Sequence, residues 1–176
     1  RPQLRHKIEL SVKPDYLIAQ QLTKESAADL VTETDKAVET MVSTELMGKY
    51  PDYKFIGEET YKPGMQLTDA PTFIVDPIDG TTNFVHSFPC VCISLGFTVK
   101  KFPTVGVIYN PFLDEIYTAI KGHGAFVSRN GEEKVLLPLK KNPEPLNDLS
   151  TALVGAEWGS DRKGVNFDLK ARVFAK

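Results

Sequence analysis

Val91-Cys-Ile-Ser-Leu-Gly-Phe-Thr-Val99 is a stretch in which large apolar residues alternate with small or polar ones. A period of two predicts a β-strand with one buried face. Further extended segments follow at residues 104–109, 116–120 and 125–128, and Asn130-Gly131 is typical of a two-residue hairpin turn. Because short connections join antiparallel strands, whereas parallel strands need a long crossover, this succession predicts an antiparallel meander.

The residues before the meander carry both helix and strand signals. Leu30–Thr32 predicts a short extended piece, and Thr34 is expected to begin a helix that ends before Pro51. That helix is indicated by apolar residues at helical spacing, namely Val38, Met41, Val42 and Leu46. Two further strands are predicted at residues 53–56 and 72–75.

The residues after the meander predict a second, smaller part of the chain. Residues 138–150 are rich in proline and are expected to form a linker. Thr151–Ala156 predicts one more strand, and residues 162–176 predict a helix. We therefore expect an N-terminal α/β part over residues 1–145 and the start of a C-terminal part over residues 146–176.

The composition excludes several classes of protein. The chain has 176 residues and a formal net charge of −2, so it lacks the positive field of a nucleic-acid binder. No apolar run approaches the length of a membrane span. Cys90 and Cys92 are the only cysteines, and in an extended strand they share a face but lie too far apart to bridge without distortion, which fits a reducing compartment. We therefore expect a cytoplasmic globular protein with neither nucleic-acid nor membrane partners.

Acidic residues cluster in three separate segments. Asp76-Pro-Ile-Asp-Gly-Thr-Thr-Asn83 follows an apolar strand and leads into a predicted helix start, where backbone N–H groups favour phosphate. Gly57-Glu-Glu-Thr60 follows another strand, and Asp29-Leu-Val-Thr-Glu-Thr-Asp35 precedes the predicted helix. Carboxylates can lie beside a bound anion only if cations lie between the carboxylates and the anion. Ligands that are all oxygen atoms select Mg²⁺, Mn²⁺ or Ca²⁺. The three segments together predict a metal-bridged phosphate site.

Each segment alone also has a structural interpretation. The Asp-Gly turn after Asp76 occurs in ordinary surface loops. Glu58 and Glu59 fit a solvated loop, and Asp29–Asp35 fits a helix N-cap. These alternatives stay open when the segments are considered one at a time.

The same three segments, taken together, resemble the inositol monophosphatase family. The resemblance rests on the stretch from Asp29 to Asp35, Ile56-Gly-Glu-Glu-Thr60 and Asp76-Pro-Ile-Asp-Gly-Thr-Thr-Asn-Phe-Val-His-Ser-Phe-Pro89, with Lys121-Gly-His-Gly-Ala-Phe126 as a glycine hairpin. It covers about residues 24–156 in the order and spacing of the family.

The resemblance implies a fold and an activity. The fold is an α/β layered sandwich of the inositol monophosphatase and sugar phosphatase type, with a largely antiparallel sheet. The activity is lithium-sensitive hydrolysis of inositol monophosphate, a small phosphorylated polyol, by a homodimeric enzyme that uses two or three Mg²⁺ ions, with Mn²⁺ as a substitute. Water attacks phosphorus, and no side chain becomes phosphorylated.

The resemblance also assigns roles to residues of this sequence. The implied metal ligands are Glu58, Asp76, the backbone carbonyl of Ile78, and Asp79. The implied pair that activates the attacking water is Asp35 and Thr81. The implied substrate contacts are Glu58, Ile78, Asp79, Gly80 and Thr81. The residues implied to lie near these groups are Lys24, Glu59 and Thr82.

The sequence departs from the family in its last part. The family has a Trp-Asp segment whose Asp completes the second metal site, whereas the only tryptophan here, Trp158, precedes Gly159. We therefore expect a truncated chain with weak metal binding and little activity alone. Two alternatives remain: a phosphatase of a bisphosphorylated nucleotide, a sugar bisphosphate or histidinol phosphate, and a non-catalytic short form that binds metal or phosphate.

Overall fold

A computed structural model describes residues 24–139, 145–155 and 163–174, and of residues 24–32 it describes the backbone alone. The chain divides into two compact units, Arg1–Lys141 and Asn142–Lys176. A boundary between residues 145 and 146 stays a prediction. In the described part of the chain, no helix combines the length and the apolar character that a bilayer crossing requires.

The described part of the first unit contains two helices and a seven-stranded sheet. Its elements are α1 (Lys24–Lys49), β1 (Lys54–Gly57), β2 (Thr72–Asp79), α2 (Thr81–Val85), β3 (Cys92–Val99), β4 (Phe102–Asn110), β5 (Glu115–Ile120), β6 (Gly124–Arg129) and β7 (Val135–Leu136). The second unit contains a 3₁₀ turn at Leu149–Thr151 and helix α3 (Val165–Phe174), which confirms the helix predicted at the end of the chain.

The sheet has its strands in sequence order, from β1 to β7. Every pair from β2 onward is antiparallel, so the predicted meander is confirmed there. Asn130 and Gly131 both have positive φ, 48° and 73°, as a type I′ turn requires. The pair β1 and β2 is parallel, because the segment of residues 58–71 between them is long enough for a crossover. The predicted α/β fold with a largely antiparallel sheet is confirmed.

Helix α1 begins ten residues before the predicted start at Thr34. The extended piece predicted for Leu30–Thr32 is therefore wrong, and so is the N-cap interpretation of Asp29–Asp35, because both lie inside the helix. The β-branched residues there cost a helix only about 0.7 kcal/mol each at most. The packing of α1 against β1 and β2 outweighs so weak a preference.

Strand β2 continues past the predicted end at residue 75 and includes Pro77. Its register with β3 shifts between Asp76 and Asp79, which marks a β-bulge. Proline has no N–H to donate to the ladder, so a bulge, where the ladder is interrupted, is one of the few positions in a strand that tolerate it. Pro77 and Ile78 are buried at the bulge, so the backbone there is held by packing.

The core of the first unit lies between the two helices and the sheet. Its buried members are Val38, Val42, Val75, Ile78, Phe84, Val91, Ile93 and Tyr109. Phe84 of the short helix α2 is 1% exposed, so α2 is fixed to the core by this ring.

The strand predicted for Thr151–Ala156 is wrong over residues 151–155, where the chain forms the end of a 3₁₀ turn and then irregular structure. Asp148 is the reason: its carboxylate accepts the N–H of Ser150 at 2.7 Å, and its carbonyl accepts the hydroxyl of Thr151 at 2.8 Å. Such local hydrogen bonds compete with a strand. Ala156 lies outside the described residues.

Candidate functional site

The parallel register of β1 and β2 brings two of the predicted metal ligands together. Gly57 pairs with Val75, so the next residues, Glu58 just after β1 and Asp76 within β2, lie side by side. The N–H of Glu58 donates to the carbonyl of Val75 at 3.0 Å. The carboxyl group of Glu58 lies close enough to that of Asp76 to interact with it. Burial, the interaction with the neighbouring Glu58 carboxyl group and the charge of Asp79 raise the pKa of Asp76 to about 7.

Asp35, which belongs to helix α1, lies near Glu58 and Asp76 although it is distant from them in sequence. Asp35 is 5% exposed. Its pKa is raised to about 7, first by burial and then by the negative charges of Glu59, Glu58, Asp76 and Glu39. Acidic groups from all three segments therefore lie close enough to repel one another.

Asp79 lies on the exposed side of the bulge, opposite Cys92 in β3. The thiol of Cys92 donates to Asp79 Oδ2 at 3.8 Å. Burial and the charge of Asp79 raise the pKa of Cys92 to about 11, so the thiol stays protonated and remains a donor. Both cysteines are free, as predicted.

Gly80 ends the bulge and caps helix α2 with φ 91°, a left-handed conformation that favours glycine. A Cβ at this position would lie 2.8 Å from the carbonyl oxygen of Cys90. The amide of Asn83 donates to the same carbonyl at 2.8 Å, and the hydroxyl of Thr81 donates to the carbonyl of Ile78 at 3.3 Å. The glycine-threonine loop is thus held tightly against the start of β3.

For some predicted site residues, the described part of the structure gives no contact with the acidic cluster. Lys24 begins α1, but its side chain lies outside the described residues. Thr82 is exposed, and its carbonyl lies 2.8 Å from Nδ1 of His86. The cooperation of Asp35 with Thr81 stays a prediction.

Glu39 is a member of the cluster that the sequence interpretation missed. It is 2% exposed, and its Oε2 accepts the N–H of Glu59 at 2.8 Å. The available signal was its spacing, four residues after Asp35 on the face that buries Val38.

The cluster has the donor chemistry of a site for a hard divalent cation. Its side-chain donors are carboxylate oxygens, which Mg²⁺ and Mn²⁺ prefer. Among the described residues, the buried side-chain oxygens and nitrogens without a hydrogen-bond partner are Asp76 Oδ1 and Glu39 Oε1, and both belong to this cluster. In the same residues, no group of three or more His, Cys, Asp or Glu side chains has an arrangement that could hold a metal ion. The residues fit a cation by the chemistry of their donor atoms alone, and the ligand set stays a prediction.

A cavity of about 460 Å³ borders the cluster at Glu58 and Asp76. Its other walls are mainly apolar and include Ile56, Ile74 and Val105. We do not assign the phosphate to this cavity, because a charged group gains nothing from apolar walls.

Comparison with known proteins decides the family. A family model described as "Inositol monophosphatase family" matches residues 6–175. The chain belongs to the inositol monophosphatase family. Inositol monophosphatase 3 of Solanum lycopersicum is 52% identical over 136 residues, which are 76% of this chain and 47% of that relative. The 176-residue chain spans about half the length of the curated relatives it matches.

Solved structures of the inositol monophosphatase family agree with the fold. SaIMPase-II with bound 2′-AMP is similar with a TM-score of 0.71 at 26% identity, covering 99% of this chain and 60% of that chain. SaIMPase-II with bound inositol monophosphate has a TM-score of 0.57 at 30% identity, covering 76% of this chain and 46% of that chain.

Proposed function

We propose that a protein of the relatives' full length that contains these residues hydrolyses inositol monophosphate to inositol and inorganic phosphate. The observation that carries this proposal is the convergence of four carboxylates from three distant segments, those of Asp35, Glu58, Asp76 and Asp79. The family membership supports it, as does the similarity to a solved structure whose title names bound inositol monophosphate.

We propose that Glu58, Asp76, the Ile78 carbonyl and Asp79 hold Mg²⁺, with Mn²⁺ as a substitute. The all-oxygen donor set and the partnerless, buried Oδ1 of Asp76 support this. When bound, divalent cations supply positive charge that makes water more acidic and offsets charge on the phosphate oxygens. The number of ions, two or three, follows from the family resemblance.

The residues of the chain orient the water and move its proton. We propose that the hydroxyl of Thr81 turns from the Ile78 carbonyl toward water and passes a proton to a carboxylate oxygen of Asp35. Gly80, which leaves no side chain in the way, and the backbone beside it position the phosphate. Water adds to phosphorus, and the bond from phosphorus to the inositol oxygen breaks. That oxygen takes a proton from solvent water and leaves as a hydroxyl, while Asp35 returns its proton to solvent. Glu59 and Thr82 flank these groups, and Lys24 is proposed to lie near them.

A phosphorylated nucleotide is the second candidate substrate. The specific observation that favours it is the likeness to a structure whose title names bound 2′-AMP, a likeness that covers 99% of this chain. Sugar bisphosphate and histidinol phosphate complete the substrates to be compared.

The resemblance to the family supports three further proposals about the full-length protein. We propose that it is a homodimer, that it acts in the cytoplasm, and that Li⁺ inhibits it. Sedimentation, cell fractionation and inhibition assays respectively test them.

Phosphate release on a substrate panel tests the proposed function. The panel contains inositol monophosphate, 2′-AMP, a bisphosphorylated nucleotide, a sugar bisphosphate and histidinol phosphate, each with and without Mg²⁺. We expect the highest kcat/KM for inositol monophosphate and no turnover without a divalent cation. Turnover that is equal without Mg²⁺, or that is confined to another substrate, contradicts the proposal.

A further inference from the structure

Glu39 is a buried acid that the proposed mechanism leaves without a task. Its side chain is 2% exposed, on the same helix face as Asp35, Val38 and Val42. A glutamate is seldom buried so deeply unless its carboxylate has a partner that offsets the loss of water.

The carboxylate of Glu39 contacts the backbone on both sides of Glu58. Its Oε2 accepts the N–H of Glu59 at 2.8 Å. A Cβ built on Gly57 would lie 2.2 Å from Glu39 Cδ, so the carboxylate fills the space that a side chain at position 57 would need. Gly57 itself is buried.

Glu58 is fixed from the other direction by the sheet. Its N–H donates to the carbonyl of Val75 at 3.0 Å. A backbone held at residues 57, 58 and 59 restricts where the Glu58 side chain points.

We propose that Glu39 is a positioning residue that anchors Gly57–Glu59, so that Glu58 is directed to the cation site. This inference rests on the proposed function, because the cation site is part of it. The role needs an acceptor oxygen at Oε2 and the volume of the side chain, and it does not need a negative charge. A glutamine supplies both the oxygen and the volume, whereas an alanine supplies neither.

Mn²⁺ affinity of the 176-residue chain, measured by water-proton relaxation, tests this role. Glu39→Ala is expected to weaken binding by about 10- to 100-fold, and Glu39→Gln by less than about 10-fold, as for other residues that orient a metal ligand. Gly57→Ala, which pushes the carboxylate away while keeping its charge, is expected to act like Glu39→Ala. Glu33→Ala, an exposed acid of the same helix, serves as the control and is expected to bind like the wild type. Unchanged affinity in Glu39→Ala, or an equal loss in Glu39→Gln, overturns the proposal.

Hydrogen exchange without cation separates this inference from the proposed function. The amide of Glu59 is expected to exchange at least about 10-fold faster in Glu39→Ala, and at the wild-type rate in Glu39→Gln. Unchanged exchange in Glu39→Ala overturns the anchoring even when the wild type binds Mn²⁺. Exchange that changes as expected supports the anchoring even when the wild type binds no Mn²⁺, and in that case the proposed cation site is what fails.

Discussion

At the scale of single residues, Asp76 is the acid to which the others are linked. Glu58 and Asp79 help to raise the pKa of Asp76, and the charge of Asp76 contributes to the raised pKa of Asp35. We expect Asp76→Asn to lower kcat/KM of the full-length protein by about 10³-fold, since about 4 kcal/mol of transition-state stabilisation is lost with this proposed metal ligand. Asp52→Asn, which changes an exposed acid outside the cluster, is the matched control. Steady-state kinetics with Mg²⁺ measure both, and near wild-type turnover in Asp76→Asn would contradict the role.

Thr81 has a hydroxyl that already donates to the carbonyl of Ile78, a proposed metal ligand. Because the proposed role is to relay a proton, Thr81→Ala should lower kcat by about 10²-fold and change KM much less. Steady-state kinetics separate the two constants. Mass spectrometry of the enzyme quenched during turnover should detect no phosphorylated protein, and a stoichiometric phosphothreonine would refute attack by water.

At the scale of secondary-structure elements, the sequence predicts what depends on local pattern. The alternation of residues 91–99 and the Asn130-Gly131 turn are local signals, and the strands and the hairpin they predict are present. The start of α1 and the parallel pairing of β1 with β2 depend on packing between distant segments, so pattern alone missed them. The same reason hid Glu39, whose partner is twenty residues away in sequence.

The loop at Gly80 gives a prediction at this scale. A side chain here meets a φ of 91° and a backbone carbonyl 2.8 Å from its Cβ. The left-handed conformation alone costs a non-glycine residue about 1–2 kcal/mol, so Gly80→Ala should lower the free energy of unfolding by at least about 2 kcal/mol. Urea unfolding measures it. Gly106→Ala, where no atom lies within 4 Å of the added Cβ, is the control, and equal stability of the two variants would show that the loop is not so constrained.

At the scale of the whole molecule, the sequence predicts which segments supply the acidic cluster but not how their carboxylates are arranged in space. The three acidic motifs are visible in the sequence, and the register of β1 with β2 and the bulge of β2 decide which carboxylates meet. The strands leave some large apolar side chains in contact with water. Those with high exposure on β2, β4 and β5 are Ile74, Phe102, Ile108 and Ile120.

This exposed apolar surface predicts association of the 176-residue chain. Large apolar side chains in contact with water favour contacts between copies, so we expect oligomers or aggregates. Size-exclusion chromatography with light scattering tests this, and Ile108→Lys with Ile120→Lys should increase the monomer fraction. A monodisperse monomer at about 100 µM would contradict the prediction, because the dissociation constant for self-association would then be above roughly 10⁻⁴ M.

The central claim is that three segments distant in sequence build one divalent-cation site. Electron paramagnetic resonance of Mn²⁺ titrated into the 176-residue chain tests it most directly, because free and bound Mn²⁺ are counted without any need for turnover. The wild type and Asp52→Asn are expected to bind Mn²⁺ saturably and equally, and Asp76→Asn at least about 10-fold more weakly. Equal binding by Asp76→Asn and the wild type, or no saturable binding by the wild type, would contradict the claim.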